Sequence, residues 1–278
     1  MGKNKVKGLV DTMWAGYDRL LEDIKKYVDI PILDYGIGTK FTYVRTKNSL
    51  GISKTNASQR FEQRLPLKKE YRIIDFIPGI TSWNYSEASL ALAAINAILN
   101  QPDTEWCTCK LSRDYTSPRI GDVKLLSYSV YDHVKHLSEL IGKRKVLMVE
   151  GVTYEDNRYR NICKLSVIKE EPLQGDYPTT ALEYLIHENS FIYLSGTCLV
   201  NKTIERILTI SKAKQVILDG IDVPIAPLLL SEGVTRVVGF IVDDIDRCIT
   251  YIKHGYGEEQ LLGCGHMCDI SGGEVEVE

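Results

Sequence analysis

Apolar segments alternate with amphipathic ones from about residue 140 onward. The apolar runs have the length of buried strands and read KVLMV, KLSVI, FIYL, QVIL and RVVGFIV. Segments with helical spacing of apolar residues follow several of these runs, and one of them, about 198–211, carries Val200, Ile204, Ile207 and Leu208. This alternation predicts an α/β unit with a mostly parallel sheet covered on both faces. Ligands of such sheets bind beyond the carboxyl ends of the strands.

The pattern before residue 140 is different. It predicts a helix over 11–27, three short glycine-bounded strands within 32–55 and an alanine-rich helix over 84–100. Residues 101–129 are mixed and polar, which favours a connection. Strands followed by helices indicate a separate α+β unit. We therefore predict two domains, 1–125 and 126–278.

Charge and composition exclude several classes of protein. The chain has 278 residues, 44% of them hydrophobic, and a net charge of −3, so it lacks the basic surface of a nucleic-acid-binding protein. Its longest mostly apolar stretch, LALAAINAIL, is about half a membrane span. We expect a cytoplasmic protein with a small-molecule ligand and neither nucleic acid nor membrane as partner. The seven cysteines are expected to be reduced, and the oligomeric state is unknown.

The stretch SGTCLVNKTIER, residues 195–206, carries more polar side chains than a connection needs. If Thr197 caps the helix that follows, Thr197, Asn201 and Glu205 lie four residues apart on one face. We expect this face, with Thr203, to point toward the strand ends. Capping alone explains one of these residues, and a ligand role for the others is the alternative.

Gly151 and Glu170 end two successive predicted strands, 19 residues apart. An acid at about this distance from the first glycine turn binds ribose hydroxyls in nucleotide-binding Rossmann folds. The loop GVTYEDN, however, has no G-x-G-x-x-G. A ribose-binding Glu170 and a strand that ends in glutamate by chance both stay open.

Two loops at predicted strand ends are candidate ligand walls. QGDYPTT contains Gly175, Asp176 and Pro178, and its simpler interpretation is a turn. DGIDVPIAP opens with Gly220 and is stiffened by Pro224. The second loop suits a ligand wall and equally suits the start of a helix.

TSWNYSEAS, residues 81–89, begins the alanine-rich helix. Asn84 and Glu87 resemble a capping box with asparagine in place of serine or threonine. Further along, Asn96 lies in the helix interior and needs a partner, either backbone or ligand.

CGHMC places Cys264, His266 and Cys268 within five residues. Thiolate and imidazole suit zinc, copper or iron, but this spacing is not a common zinc pattern and no fourth ligand is evident. The alternative is a set of reduced cysteines near a flexible end. No firm metal site is assigned.

Seven segments in one order carry a family resemblance: WAGYDRLLEDI, GIGTKFTYV, LGISKT, WNYSEASLALAAINAILN, GDYPTTALEYLI, SGTCLVNKTIERIL and GIDVPIAP. Together they resemble the family of putative heavy-metal chelation domain proteins over nearly the whole chain. The resemblance implies an α+β enolase N-terminal-like domain followed by an α/β Rossmann-like domain. One departure is Asp222, in a loop that usually reads Gly-Pro-Ser-x-Pro, and it is expected to alter ligand preference.

The resemblance also implies a site between the domains. Asn84 and Glu87 would reach it from the first domain, and Thr197, Asn201 and Thr203 from the second. Asp176, with Gly175 and Pro178, would lie nearby. The implied role is condensation or hydrolysis of a pterin-, flavin- or siderophore-like molecule that chelates metal.

Three functional hypotheses follow. In the first, an enzyme uses Glu87 as general acid or base beside Asn84, while Glu170 holds ligand hydroxyls. In the second, a non-catalytic protein binds a metal or metallophore in the same cleft or at CGHMC. The third, a methyltransferase-like protein using S-adenosylmethionine, requires the Gly151–Glu170 pair. The cofactor is unknown, and whether the protein is an enzyme stays open.

Overall fold

A computed structural model describes residues 15–27, 29–56, 68–102, 119–120, 123–128, 138–150, 160–211 and 214–272. The helices of these ranges are α1 (Ala15–Asp23), α2 (Tyr85–Leu99), α3 (Leu182–Glu188), α4 (Thr197–Val200), α5 (Ile204–Ile210), α6 (Leu228–Ser231), α7 (Ile245–Lys253) and α8 (Glu258–Leu262). The strands are β1 (Asp34–Ile37), β2 (Phe41–Arg45), β3 (Leu50–Lys54), β4 (Arg119–Ile120), β5 (Val123–Tyr128), β6 (Lys145–Val149), β7 (Lys164–Lys169), β8 (Tyr177–Pro178), β9 (Phe191–Leu194), β10 (Gln215–Asp219), β11 (Arg236–Val242) and β12 (Gly265–Gly272).

The first three strands of the chain form a small antiparallel sheet in the order β1-β2-β3. It confirms the three short strands predicted within 32–55. The buried face of the sheet packs on α2, which confirms the predicted alanine-rich helix. The predicted first helix appears as α1 and a 3-10 turn, Lys25–Tyr27, while residues 11–14 lie outside the described ranges.

The large sheet has nine strands in the order β4-β5-β12-β11-β10-β9-β6-β7-β8. The strands from β11 to β8 in this order are parallel, as predicted. β12, β5 and β4 add antiparallel pairings at the other side. The fold is therefore α+β, with a mostly parallel sheet and a separate small antiparallel sheet.

Two expectations about the antiparallel strands are wrong. β4 and β5 come from the stretch predicted as a connection. The domain boundary after residue 125 stays a prediction, and residue 125 lies within β5. CGHMC is not a loose segment, because Gly265–Cys268 belong to β12, which lies between β5 and β11. Cys264 and Cys268 are free and buried, in agreement with the expectation of reduced cysteines. Strand formation depends strongly on tertiary context, so segments with a weak apolar pattern of their own can still become strands.

The single helix predicted over about 198–211 is also interrupted. α4 and α5 are separated by Asn201–Thr203, where Lys202 has a left-handed φ of 67°. The Asn201 side chain accepts a hydrogen bond from the backbone N–H of Thr203 at 3.1 Å. Such local bonds of asparagine compete with helical hydrogen bonds and favour a turn.

The two sheets share buried cores. Phe41, Tyr43 and Ile52 of the small sheet pack with Val238 and Phe240 of β11. α2 joins a second cluster, which includes the large-sheet residues beneath α3 to α6. The small sheet and α2 therefore lie firmly against the large sheet, and the ends of β3 and α2 are brought close to the large-sheet strand ends. Within the described ranges, no helix is long and apolar enough to cross a bilayer.

Candidate functional site

The strand order of the large sheet reverses between β6 and β9. From β6 the chain moves to β7 and β8 on one side, then returns to β9, β10 and β11 on the other. Ligands of open sheets bind in the crevice outside the carboxyl ends of strands at such a reversal. Glu150 directly follows β6 and Ser195 directly follows β9, so both lie at this crevice.

Two glutamates meet at the crevice. The backbone N–H of Glu170, which follows β7, donates to Glu150 Oε1 at 2.9 Å. Glu150 has a left-handed φ of 57°, a conformation that non-glycine residues adopt mostly under constraint. Burial raises the pKa of Glu150, and the Glu170 carboxylate raises it further, while the Glu170 N–H, Lys54 and Lys169 act in the opposite direction.

The small sheet and α2 supply the other side of the crevice. Asn56, just beyond β3, donates to Glu170 Oε2 at 3.2 Å. Tyr85 begins α2, and its pKa is raised by burial and by the Glu170 and Glu150 carboxylates. Lys54 ends β3, where its carbonyl accepts the Ser89 hydroxyl at 3.0 Å. The crevice therefore collects polar groups from the large sheet, from β3 and from α2: two carboxylates, a phenol, an amide and an ammonium group.

A buried acid holds the turn after β9. Asp222 is fully buried, and its Oδ1 accepts the backbone N–H of Gly196 at 3.1 Å. Its Oδ2 accepts the Thr197 hydroxyl at 3.4 Å. The acid that departs from the family pattern therefore holds the start of α4. Gly196, not Thr197, is the N-cap residue of that helix.

The other polar residues of the turn bind one another. Asn201 Oδ1 accepts both the N–H and the hydroxyl of Thr203, the latter at 2.7 Å. Lys202 donates to the carbonyl of Val200, and burial lowers the pKa of its ammonium group to about 8. The expected common face does not form, because Glu205 lies on α5 beyond the break and meets Gly16 of α1.

The loop after β10 is buried against α2. Gly220 has φ 155° and opens the loop, and Pro224 is buried within it. Asn96 Nδ2 donates to the carbonyl of Asp222 at 3.0 Å, so the partner required by this interior asparagine is backbone. Ligand contacts of Gly220 and Pro224 stay predictions.

Asn84 and Glu87 lie at the start of α2. Asn84 Oδ1 caps the helix by accepting the N–H groups of Ser86 and Glu87 at 3.0 and 3.4 Å. The reciprocal bond of a capping box is replaced: the Asn84 N–H donates to Ser82, whose hydroxyl donates to Glu87 Oε2 at 2.6 Å. Glu87 lies about 200° around the helix from Tyr85. The catalytic roles assigned to Asn84 and Glu87 stay predictions.

Asp176 stabilises the turn between β7 and β8. Its carboxylate accepts the backbone N–H of Leu173 and lies 3.2 Å from Arg160 and 3.5 Å from Lys169. Gly175 has a positive φ of 93°, which glycine adopts readily in a tight turn. Pro178 follows the turn and belongs to β8. A substrate-binding role for Asp176 stays a prediction, but all three contacts are within the protein.

Cys264 and Cys268 pack on different faces of the large sheet. Cys264 belongs to the cluster beneath α7 and α8, whereas Cys268 belongs to the cluster beneath α3 to α6. His266 instead binds Asp243 through Nδ1 at 2.8 Å. CGHMC therefore does not form a three-ligand metal site. No group of three or more His, Cys, Asp or Glu residues able to hold a metal ion occurs in the part of the chain that the structure describes.

Sequence reasoning missed Glu150, Tyr85, Lys54 and Asn56. Gly151, paired with Glu170 in the sequence, lies outside the described residues. The signal for Glu150 was its place directly after the apolar run KVLMV, beside that glycine. Tyr85, Lys54 and Asn56 carry no local signal, because their position depends on how the small sheet packs.

Two family models match the chain. The model described as "Putative heavy-metal chelation" matches residues 132–266, and a second model with the same description matches residues 17–99. Together they cover both the large-sheet half and the half that contains the small sheet and α2.

Relatives match over most of their length. An uncharacterised protein of Methanocaldococcus jannaschii is 24% identical over 246 residues, which is 82% of this chain and 85% of the relative. A crystal structure of a family protein of unknown function from Desulfitobacterium hafniense has TM-score 0.72 and 26% identity, covering 93% of this chain and 98% of that one. A family protein of unknown function from Pyrococcus horikoshii shares the fold with TM-score 0.71, 18% identity and coverage of 93% and 99%.

Proposed function

Because this chain belongs to the family of putative heavy-metal chelation proteins, we propose that it binds and converts a small metal-chelating metabolite in the crevice between its two sheets. The ligand class is pterin-, flavin- or siderophore-like, and the reaction is a condensation or hydrolysis. The observation that carries the proposal is the Glu150–Glu170 pair at the strand-order reversal, with Tyr85 and Asn56 beside it.

Glu150 is the group best suited to proton transfer. Its carboxyl has a raised pKa, chiefly because it is buried. A carboxyl that keeps its proton above the ordinary range can protonate a leaving group and then accept a proton from water. Perturbed acids in a crevice are candidates for such chemistry. Glu150 therefore replaces Glu87 as our first choice of general acid or base, and Glu87 stays second.

The neighbouring groups would bind and orient the ligand. Glu170 is exposed and held by Asn56, so it can accept hydrogen bonds from ligand hydroxyl or amino groups. Tyr85 offers a phenolic hydroxyl. Lys54, whose ammonium group pairs with Glu258 at 3.8 Å, adds positive charge near Glu150. The turn at Thr197, Asn201 and Thr203 would form one wall, and the loop from Gly220 to Pro224 another.

Asn84 has an indirect part in this proposal. By capping α2 it fixes the first turn of the helix, which carries Tyr85. Asp176 acts similarly for the segment that follows Glu170, since it holds the turn before β8. Both would be positioning residues.

Binding without turnover is the alternative for the same crevice. A carrier of a metal complex would use the same donors, and only measured conversion of the ligand separates it from an enzyme. A metal site at CGHMC gains no support, because its two thiols lie on different faces. An S-adenosylmethionine site would need ribose contacts to Glu170, and calorimetry with that cofactor tests it directly.

Native mass spectrometry of the freshly purified protein tests the proposal. Wild type is compared with Glu150→Gln, Glu170→Gln and the matched control Glu188→Gln, an exposed acid at the end of α3. We expect an organic mass on wild type and on the control that is lost or much reduced in both crevice variants. The retained molecule then becomes the substrate candidate for a turnover assay.

If no mass is retained, a thermal-shift screen with pterins, flavins, catecholates and hydroxamates takes its place. We expect at least one compound to raise the melting temperature of wild type and the control more than that of Glu150→Gln. A compound that stabilises all four proteins equally, or a screen without any hit, contradicts the crevice assignment.

A further inference from the structure

A second concave site lies away from the crevice, between α1 and the helices α4, α5 and α6. Its volume is about 320 Å³. A cavity of about 150 Å³ lined by aliphatic side chains already holds benzene, and ligand pockets begin at about 300 Å³. The site is therefore large enough for a substituted aromatic or branched aliphatic molecule.

The walls of this cavity are mostly apolar. They are formed by Tyr17, Leu20, Leu199, Ile204, Leu208 and Leu229. The Tyr17 hydroxyl donates to the carbonyl of Leu199 at 2.9 Å, which ties α1 to α4 and uses the polar group of that wall. An apolar ligand body would replace water along these side chains.

The charged residues of the lining are not balanced. Arg19 forms an ion pair with Glu232, while Glu205 lies in the same lining without a cation of its own at ion-pairing distance among the described residues. The backbone N–H of Gly16 lies near the Glu205 carboxylate and favours its charged form. Two carboxylates, Glu205 and Glu232, and one guanidinium group, Arg19, therefore line the cavity. Arg19 is already paired with Glu232.

Partial burial makes the excess charge of Glu205 unfavourable. Burial is the largest cause that raises its pKa, and the nearby Glu232 raises it further, whereas Gly16 and Arg19 lower it. A desolvated carboxylate is stabilised by a paired cation. An ammonium group at this position would supply that pair.

We propose that this cavity is a binding site for a small apolar amine, with the ammonium group on Glu205 and the apolar body against Leu199, Leu208 and Leu229. The site is separate from the crevice, since none of the crevice side chains lines it. An anionic ligand is disfavoured because it would face two carboxylates. A neutral ligand would fill the apolar part but leave Glu205 desolvated without a cation.

Three probes of similar shape test this assignment by isothermal titration calorimetry. They are 2-phenylethylamine, 2-phenylethanol and 3-phenylpropionate, used with the full chain at pH 7. We expect the amine to bind at least ~10-fold more tightly than the alcohol, a preference equivalent to about 1.4 kcal/mol, because only the amine can pair a positive charge with the partly buried Glu205 carboxylate. The carboxylate should not bind measurably.

Variants locate the binding. Glu205→Gln should bring the amine to the affinity of the alcohol, while the control Glu188→Gln keeps the preference. Leu208→Trp, which fills the cavity, should abolish binding of both probes. Glu150→Gln should leave amine binding unchanged, so a failure of the crevice proposal does not affect this result.

Equal affinities for amine and alcohol would overturn the proposal. So would an amine preference that survives Glu205→Gln, or the absence of binding by all three probes. Circular dichroism of each variant confirms folding, and Leu208→Trp provides a second route if Glu205→Gln does not fold.

Discussion

The two ends of α2 make different contacts with the two sheets. At its carboxyl end, the Asn96 and Asn100 amides bind backbone groups of Ile52, Asp222, Val223, Ile225 and Phe240. We call this contact the seam. At its amino end, Tyr85 and Ser89 lie by the crevice with Lys54 and the two glutamates.

The difference separates polar residues that join the sheets from those proposed to bind the ligand. The seam uses neutral amides bound to backbone groups. Neither kind of group titrates, and a substitution does not remove the backbone partner. The crevice uses groups that titrate, and the pKa values of Glu150 and Tyr85 are both raised. One helix therefore joins the sheets rigidly at one end and presents ionisable groups at the other. Stability variants should map to the seam, and binding or pH variants to the crevice.

Gly51→Ala should give the largest loss of stability. A Cβ at Gly51 would lie 1.9 Å from the Ala93 carbonyl oxygen and 2.1 Å from the Ala97 nitrogen, so α2 would have to move away from β3. Overpacking costs about 1–3 kcal/mol and occasionally more, and contact with rigid backbone places Gly51→Ala at the upper end of this range. The free energy of unfolding, measured by urea denaturation, should fall by about 3 kcal/mol or more, or the variant should not fold.

Gly175→Ala is the matched glycine control. Gly175 has φ 93° but nothing within 4 Å of an added Cβ, so only backbone strain of about 1–2 kcal/mol is expected. If both variants lose the same stability, the close packing of α2 on β3 is not what holds the seam.

Asn100→Leu should have the next largest effect. Its Nδ2 donates to Val223 and Phe240 at 2.8 and 3.2 Å, and its Oδ1 accepts the Ile225 N–H at 2.9 Å. Leucine leaves these buried backbone groups without partners, which costs about 2–4 kcal/mol in total. Urea denaturation measures the loss. Asn189→Leu, which removes one bond to Leu185, should lose about 1 kcal/mol; an equal loss would contradict the prediction.

The seam was partly predictable from the sequence. Asn96 in an otherwise apolar helix required a partner, and the structure provides two backbone carbonyls. Which carbonyls they are depends on the loop from Gly220 to Pro224 folding under α2, which no local pattern specifies. Continuous apolar runs predicted the parallel strands and the alanine-rich stretch predicted α2, because these elements are buried on nearly all sides.

The crevice was less predictable. Glu170 was singled out because it ends the strand after Gly151, at the spacing of a ribose-binding acid. The break between α4 and α5 was missed, since the apolar spacing continues across it while Asn201 and Lys202 end the helix through a local turn. Tyr85 and Asn56 reach the crevice only through tertiary packing. Distances along the chain carry no information about such contacts.

The reactivity of Lys202 tests how well the turn between α4 and α5, a proposed wall of the crevice, is shielded from water. Burial lowers the pKa of its ammonium group to about 8 from an ordinary 10.5. We expect its acetylation by limiting acetic anhydride to reach half its maximal rate near pH 8, measured by peptide mass spectrometry. Lys143 shares the left-handed backbone, with φ 61°, but is exposed. If the two lysines respond to pH identically, Lys202 is solvated and the turn is looser than described.

Glu150→Gln should have the smallest effect on stability, and it should make the protein more stable than wild type at high pH. The pKa of Glu150 in the folded protein is raised above its ordinary 4.5. As pH rises past 4.5, the unfolded chain releases this proton first, so wild type loses stability until the folded-state pKa is passed. Glutamine has no proton to lose. The variant should therefore match wild type near pH 4 and melt at a higher temperature near pH 8, whereas Glu188→Gln should show no such divergence. A variant less stable than wild type at pH 8 would mean that the ionised Glu150 stabilises the fold, and the crevice would then resemble the seam.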